Sequence, residues 1–124
     1  MNTFGEHNSK CYYASCYATA RMLSAASGLN ENGYTVSFQS RLGMNWLKPY
    51  TDEVLKEKAA QRAKKLLIVS PSFVADCLET IYELGIEYKH LFMQSGGEDL
   101  TMVESLNADQ SWVNTLSSII RDNN

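Results

Sequence analysis

"LLIVSPSFVADCLETIYELGIEY", Leu66 to Tyr88, is the stretch from which the fold can be read. Leu66 to Ser70 form a short, continuous apolar run of the kind that suits a strand buried in a parallel sheet. Ser70-Pro71 then supplies a capping residue followed by proline, whose missing N–H and fixed φ suit the first helical position. Val74, Cys77, Leu78, Ile81 and Leu84 recur at the helical period, so an amphipathic helix is expected to start directly from the strand end, with Gly85 weakening it.

The opposite face of that helix is acidic. Asp76, Glu79, Glu83 and Glu87 stand at i, i+3, i+7 and i+11, and no Lys or Arg occurs between Pro71 and Tyr88. Such spacing lies close to one stripe of a helix. Like charges at i,i+4 cost roughly 0.2–0.5 kcal/mol per pair, which water and salt screen. A solvated face is therefore one reading of the stripe, and cation binding is the other.

Upstream, Ser9 can cap a helix that carries Tyr12, Tyr13, Cys16, Met22 and Leu23 and stops near Gly28; its tyrosines read as core. "YTVSFQS", Tyr34 to Ser40, alternates as a strand does, and "RLGMNWLKPY", Arg41 to Tyr50, reads as a loop. Thr51 can cap the next helix, with Asp52 and Glu53 in its first turn and Arg62, Lys64 and Lys65 matching the dipole at its end. Downstream, "QSGGEDL" reads as a loop, a short strand is expected around "TMVESL", and Asn107 can cap the last helix. Strands near residues 34–40, 66–70 and 102–106 alternating with helices define an α/β domain with a parallel sheet and right-handed crossovers. In such sheets ligands bind beyond the carboxyl ends of the strands, where the Arg41–Tyr50 loop and the start of the acidic helix are both expected.

A length of 124 residues suits one domain, and 44% hydrophobic with 20% charged residues suits an ordinary globular chain. No apolar run approaches the roughly 20 residues of a membrane-spanning helix. A formal charge of -3 argues against a nucleic-acid partner. "MNTFGEHNSK" has no basic segment followed by an apolar core, so a secretory signal is not expected and the cytoplasm is the default location. Cys11, Cys16 and Cys77 are an odd number, expected to stay reduced, and His7 with Cys11 and Cys16 follows no common metal-ligand spacing.

"SFQSRLG", "WLKPYTDEVL", "SFVADCLETIYELGIEY" and "ESLN", in this order, resemble the C-terminal half of ferrochelatases, over about Tyr12 to Ile120. The resemblance implies one lobe of a two-lobed α/β enzyme that inserts ferrous iron into a porphyrin in haem biosynthesis. Residues 9–124 would form that lobe and residues 1–8 a tail outside it. By the same resemblance Glu79 is the catalytic acidic residue beside the macrocycle, and Glu79, Glu83 and Glu87 mark a path for metal or protons. Trp46 and Phe73 would offer apolar surface to the macrocycle, and Phe38, Gln39, Ser40 and Arg41 would end a strand at the cleft. No cofactor is implied, iron being a substrate.

Two features depart from the family pattern. Neither His7 nor His90 stands in the H-G-x-P-like segment that holds the family's other main catalytic residue, and "GMNW" is one residue shorter than usual. The resemblance thus predicts a C-terminal lobe, inactive alone, whose partners are porphyrin, ferrous iron and an N-terminal lobe. A non-catalytic metal- or tetrapyrrole-binding module and a small homodimeric chelatase are the alternatives, and peripheral membrane contact stays open.

Overall fold

The computed structural model describes residues 11–40 and 46–123. Two compact units divide within one helix, the first ending at Val54 and the second beginning at Leu55. In the first unit, α1 (Tyr12–Ala26) is followed by a single 3-10 turn at Glu31–Gly33. The expected stop near Gly28 is observed: Gly28 takes a φ of +71°, and the Leu29 N–H returns to the Ser24 carbonyl at 2.8 Å. Of the α1 tyrosines expected in the core, Tyr13 and Tyr17 pack, whereas Tyr12 is exposed. Tyr13 stacks on Phe38 with ring centroids 5.6 Å apart, and Tyr17 lies 4.7 Å from Tyr13.

The strand expected over residues 34–40 reduces, among the described residues, to one parallel bridge between Phe38 and Tyr50. The Phe38 N–H donates to the Pro49 carbonyl at 2.9 Å and the Thr51 N–H to the Phe38 carbonyl at 3.2 Å. Only Phe38 of that run is buried, so the alternation of Tyr34, Val36 and Phe38 anchors a single residue.

The helix α2 (Thr51–Ala60) opens as expected with Asp52 and Glu53 in its first turn. It ends earlier than the basic run suggested. Arg62, at φ +66°, and the N–H of Ala63, bonded to the Lys58 carbonyl at 3.0 Å, close the helix. Lys58 is the basic residue of the last turn, and Lys65 already belongs to a strand.

The second unit is built on the parallel pair β1 (Lys65–Ile68) and β2 (Asp99–Met102), in register Lys65 to Asp99 through Ile68 to Met102. An α/β fold with a parallel sheet is thus observed, β1 near its expected place and β2 a few residues earlier than "TMVESL". β2 begins at Asp99 because Leu100 is a core residue: with Leu55, Ala59 and Phe92 it forms the buried cluster against which Ala63, Leu66, Ile68 and Tyr88 pack. The crossover between the strands consists of a π-helix (Glu79–Glu87) running into α3 (Tyr88–Gln94). The last helix, α4 (Gln110–Asp122), is capped by Asp109, whose carboxylate accepts from the N–H groups of Ser111 and Trp112. Asn107, expected in that role, bonds elsewhere.

Two glycines of this unit call for opposite outcomes. A Cβ on Gly97 would collide with the ring of Phe92, which is fully buried. A Cβ on Gly85 would meet nothing closer than the Thr80 carbonyl at 3.4 Å, an ordinary contact. Gly97→Ala should destabilise the chain by roughly 1–3 kcal/mol, as overpacking does. Gly85→Ala should be neutral or stabilise by up to about 1 kcal/mol, through the backbone entropy that glycine loses on folding. Urea unfolding of the two variants measures both; equal effects would mean that the Phe92 contact does not constrain residue 97.

Candidate functional site

The acidic helix does not start after Ser70. Residues 71–77 form turns, the Phe73 N–H closing on the Ser70 carbonyl at 3.0 Å, and regular winding begins only at Leu78 and Glu79. Asp76 explains the delay, because its groups are committed outside the helix. Its carboxylate accepts from the Asn107 side-chain amide at 2.8 Å and the Ser105 N–H at 3.1 Å, and its own N–H donates to Asn107 Oδ1 at 2.8 Å. Asp76 thus leaves the acidic stripe and becomes a tether to the chain beyond β2.

From Glu79 to Glu87 the coil is wider than an α-helix. The Tyr88 N–H donates to the carbonyl of Glu83, five residues back, which is the π-helical bond. A wider coil turns less per residue, so residues four apart lie nearer one line than on an α-helix, where each such step fans by about 40°. Four rows follow. Thr80 and Leu84 are buried and Tyr88 partly so, which puts this row against the core, continuing to Phe92. Glu79, Glu83 and Glu87 form the next row, the first two half-buried and the third exposed. Beyond them Leu78, Tyr82 and Ile86 form an apolar row facing solvent, Leu78 being 81% exposed. Ile81 and Gly85 make up the fourth row and, with Thr101 and Met102, line a shallow depression beside β2.

This phase corrects the apolar arc expected from an α-helical period. Leu78 and Ile81 are exposed, Val74 and Cys77 precede the winding, and of the five residues named only Leu84 is buried. Thr80, which no apolar pattern selects, is fully buried instead, its hydroxyl bridging to the Cys77 N–H at 3.0 Å and to the Asp76 carboxylate at 3.3 Å.

Phe38 is buried in the aromatic cluster of the first unit. Trp46 is half-buried, and its indole N–H donates to the Gln39 carbonyl at 2.6 Å, joining the loop to the strand-like segment. The Gln39 side-chain oxygen is buried without a hydrogen-bond partner. Ser40 takes a φ of +58°, an uncommon conformation for a residue with a side chain. Arg41 and His7 lie outside the described residues, and His90 is exposed on α3. Phe73 is half-buried in the turn that precedes the π-helix. The three cysteines carry free thiols. Among the described residues no three His, Cys, Asp or Glu side chains converge to hold an ion, and no helix is long and apolar enough to cross a membrane.

Among the described residues, Asp76 and Asp99 are shifted. Asp76 is held below the ordinary aspartate value by the Asn107 amide first, then by Ser105 and Thr80. Asp99 is lowered mainly by Lys89, whose ammonium lies 2.6 Å from it.

With this geometry in place, comparison with known proteins identifies the class. A family model described as Ferrochelatase matches residues 2–124. The ferrochelatase of Coxiella burnetii (strain Dugway 5J108-111) is 43% identical over 115 residues, covering 92% of this chain and 32% of the relative. That of Legionella pneumophila (strain Lens) is 40% identical over 118 residues, covering 94% and 36%. The chain belongs to the ferrochelatase family, and it spans about a third of the length of these relatives.

The Asp76 shift has a sign that can be checked. A carboxyl lowered in the folded state contributes stability that is present above its unfolded value and lost as pH falls through the folded one. Acid unfolding should therefore steepen as pH drops below about 3.8, the ordinary value. Asp76→Asn should be less stable near neutrality and should lose that part of the acid dependence, as urea unfolding at a series of pH values would show. An unchanged acid limb would mean that the Asp76 bonds do not persist in solution.

Proposed function

We propose that this chain is the C-terminal lobe of a ferrochelatase, contributing the acidic row of an active site that inserts ferrous iron into a porphyrin. The observation that carries the reading is the alignment of Glu79, Glu83 and Glu87 beside the exposed apolar row of Leu78, Tyr82 and Ile86. Insertion exchanges a divalent ion for two pyrrole protons, and the exchange is neutral in charge overall. The ion must shed water ligands, and the protons need bases. Carboxylates serve both needs, since hard or borderline cations take oxygen ligands and a positioned carboxylate can accept a proton. Three in a row, with no preformed cage, suit an ion handed along by one or two ligands at a time.

In this reading Glu79 is the catalytic carboxylate nearest the macrocycle, and Glu83 and Glu87 extend the path toward solvent. Phe73, in the turn before the π-helix, gives apolar surface to the flat ring. An N-terminal lobe supplies the opposite wall and the family histidine, and the chain alone has little activity because positioning is a large share of catalysis.

Two measurements test this. Manganese or cobalt should bind weakly to the chain, and Glu79→Gln with Glu83→Gln should weaken that binding by about tenfold or more; an unchanged affinity would remove the acidic row from metal handling. Iron or zinc insertion into a porphyrin should be negligible for the chain alone and should appear when an N-terminal lobe is added. It should disappear again with Glu79→Gln. Robust turnover by the chain alone would replace the half-site reading with a homodimeric chelatase.

A further inference from the structure

We propose that Asp76 and Asn107 form a clamp that sets where the π-helix begins, and through it the register of Glu79, Glu83 and Glu87. Both are positioning residues. The effect on metal handling rests on the function proposed above; the clamp itself stands on geometry.

Two segments about thirty residues apart in sequence meet at this point. The Asn107 N–H donates to the Val74 carbonyl at 2.8 Å, and the Asp76 N–H donates to Asn107 Oδ1 at 2.8 Å. Asn107 Nδ2 donates to Asp76 Oδ2 at 2.8 Å, and the Ser105 N–H donates to Asp76 Oδ1 at 3.1 Å. Asn107 sits at φ +48°, a left-handed conformation that asparagine tolerates better than most residues. From there its side chain presents both ends of its amide to Asp76.

The clamp bears on winding because helix starts leave N–H groups without intrahelical partners. Here the N–H of Asp76 is taken by Asn107 and that of Cys77 by the buried Thr80 hydroxyl, 3.0 Å away. A helix continued back to Pro71 would draw the Asp76 N–H into its own ladder and turn the carboxylate away from Ser105 and Asn107. At the far end Tyr88 and Phe92 are packed against the core formed with Leu55 and Leu100. Nine residues, Glu79–Glu87, are wound between these two fixed ends. π-Winding is rare, and an unfavourable backbone arrangement persists only where its surroundings over-determine it. Releasing the upstream end permits rewinding toward the α-form, which would fan the three glutamates apart.

The pair can be tested by exchanging its chemistry. Asp76→Asn alone sets two amides face to face, and Asn107→Asp alone sets two carboxylates face to face. The double exchange, Asp76→Asn with Asn107→Asp, restores one of each. The amide oxygen at position 76 can then accept from the Ser105 N–H and its NH2 can donate to the carboxylate at position 107. That carboxylate can still accept from the backbone N–H of residue 76.

Amide hydrogen exchange on the whole chain is the first readout. Each single variant should speed exchange across Glu79–Tyr88 by about tenfold while Leu66 and Leu100 keep their protection, and the double exchange should return the segment to within about threefold of the parent. Manganese titration is the second: affinity should fall in the single variants and return in the double. Unchanged exchange across the segment in the single variants, or a double variant no better than the two singles combined, would overturn the clamp. If a single variant fails to fold, recovery of folding by the double exchange supports the clamp, and failure to recover overturns it. If manganese does not bind the parent chain, the metal reading of the glutamates fails while hydrogen exchange still decides the clamp. If exchange behaves as expected but manganese affinity does not follow it, the clamp's control over the glutamate row is overturned.

Discussion

The arrangement of the second unit depends on one constraint: nine residues wound as a π-helix between a start pinned outside the helix and an end pinned in the core. Asp76 cannot join the winding while it bonds Ser105 and Asn107, and Tyr88 and Phe92 cannot leave the core without opening it. The wide coil sorts the residues between into rows four apart. Thr80 and Leu84 face inward, the glutamates lie beside them, and Leu78, Tyr82 and Ile86 lie beyond.

That order has chemical meaning. An α-helix of the same sequence would spread Glu79, Glu83 and Glu87 over a broader arc and bring Ile81 toward the core, so that acid and exposed apolar surface would no longer form adjacent strips. In the function proposed above, one strip faces the flat ring and charge is exchanged along the other. The parallel pair β1 and β2 supplies the rigid base, since the crossover starts and ends on it and Leu100 joins its packing to that of Phe92.

The parts of the fold that could be read in the chain are those governed by local chemistry. Asp52 and Glu53 fall in the first turn of a helix, Gly28 ends one, and the apolar run after Lys65 forms a parallel strand. Each depends on a few neighbouring residues. The fold departs from local chemistry where distant segments compete for the same groups. Asn107 has the chemistry of a cap, yet Asp109 caps α4 because Asn107 is engaged by Asp76. The run from Tyr34 to Ser40 has the alternation of a strand, yet among the described residues it bridges only at Phe38, where Pro49 and Thr51 bring the second backbone.

The sequence by itself determined the α/β class, the ferrochelatase resemblance and the acidic character of the stretch from Glu79 to Glu87, because composition, spacing and motif order are properties of a line. Only the tertiary structure decided which face of that stretch is buried, that its winding is π rather than α, and that Asp76 stands apart from the glutamates. The hydrogen-bond partners of Asp76 lie about thirty residues away, and which of two helical periods a segment adopts depends on where its ends are held.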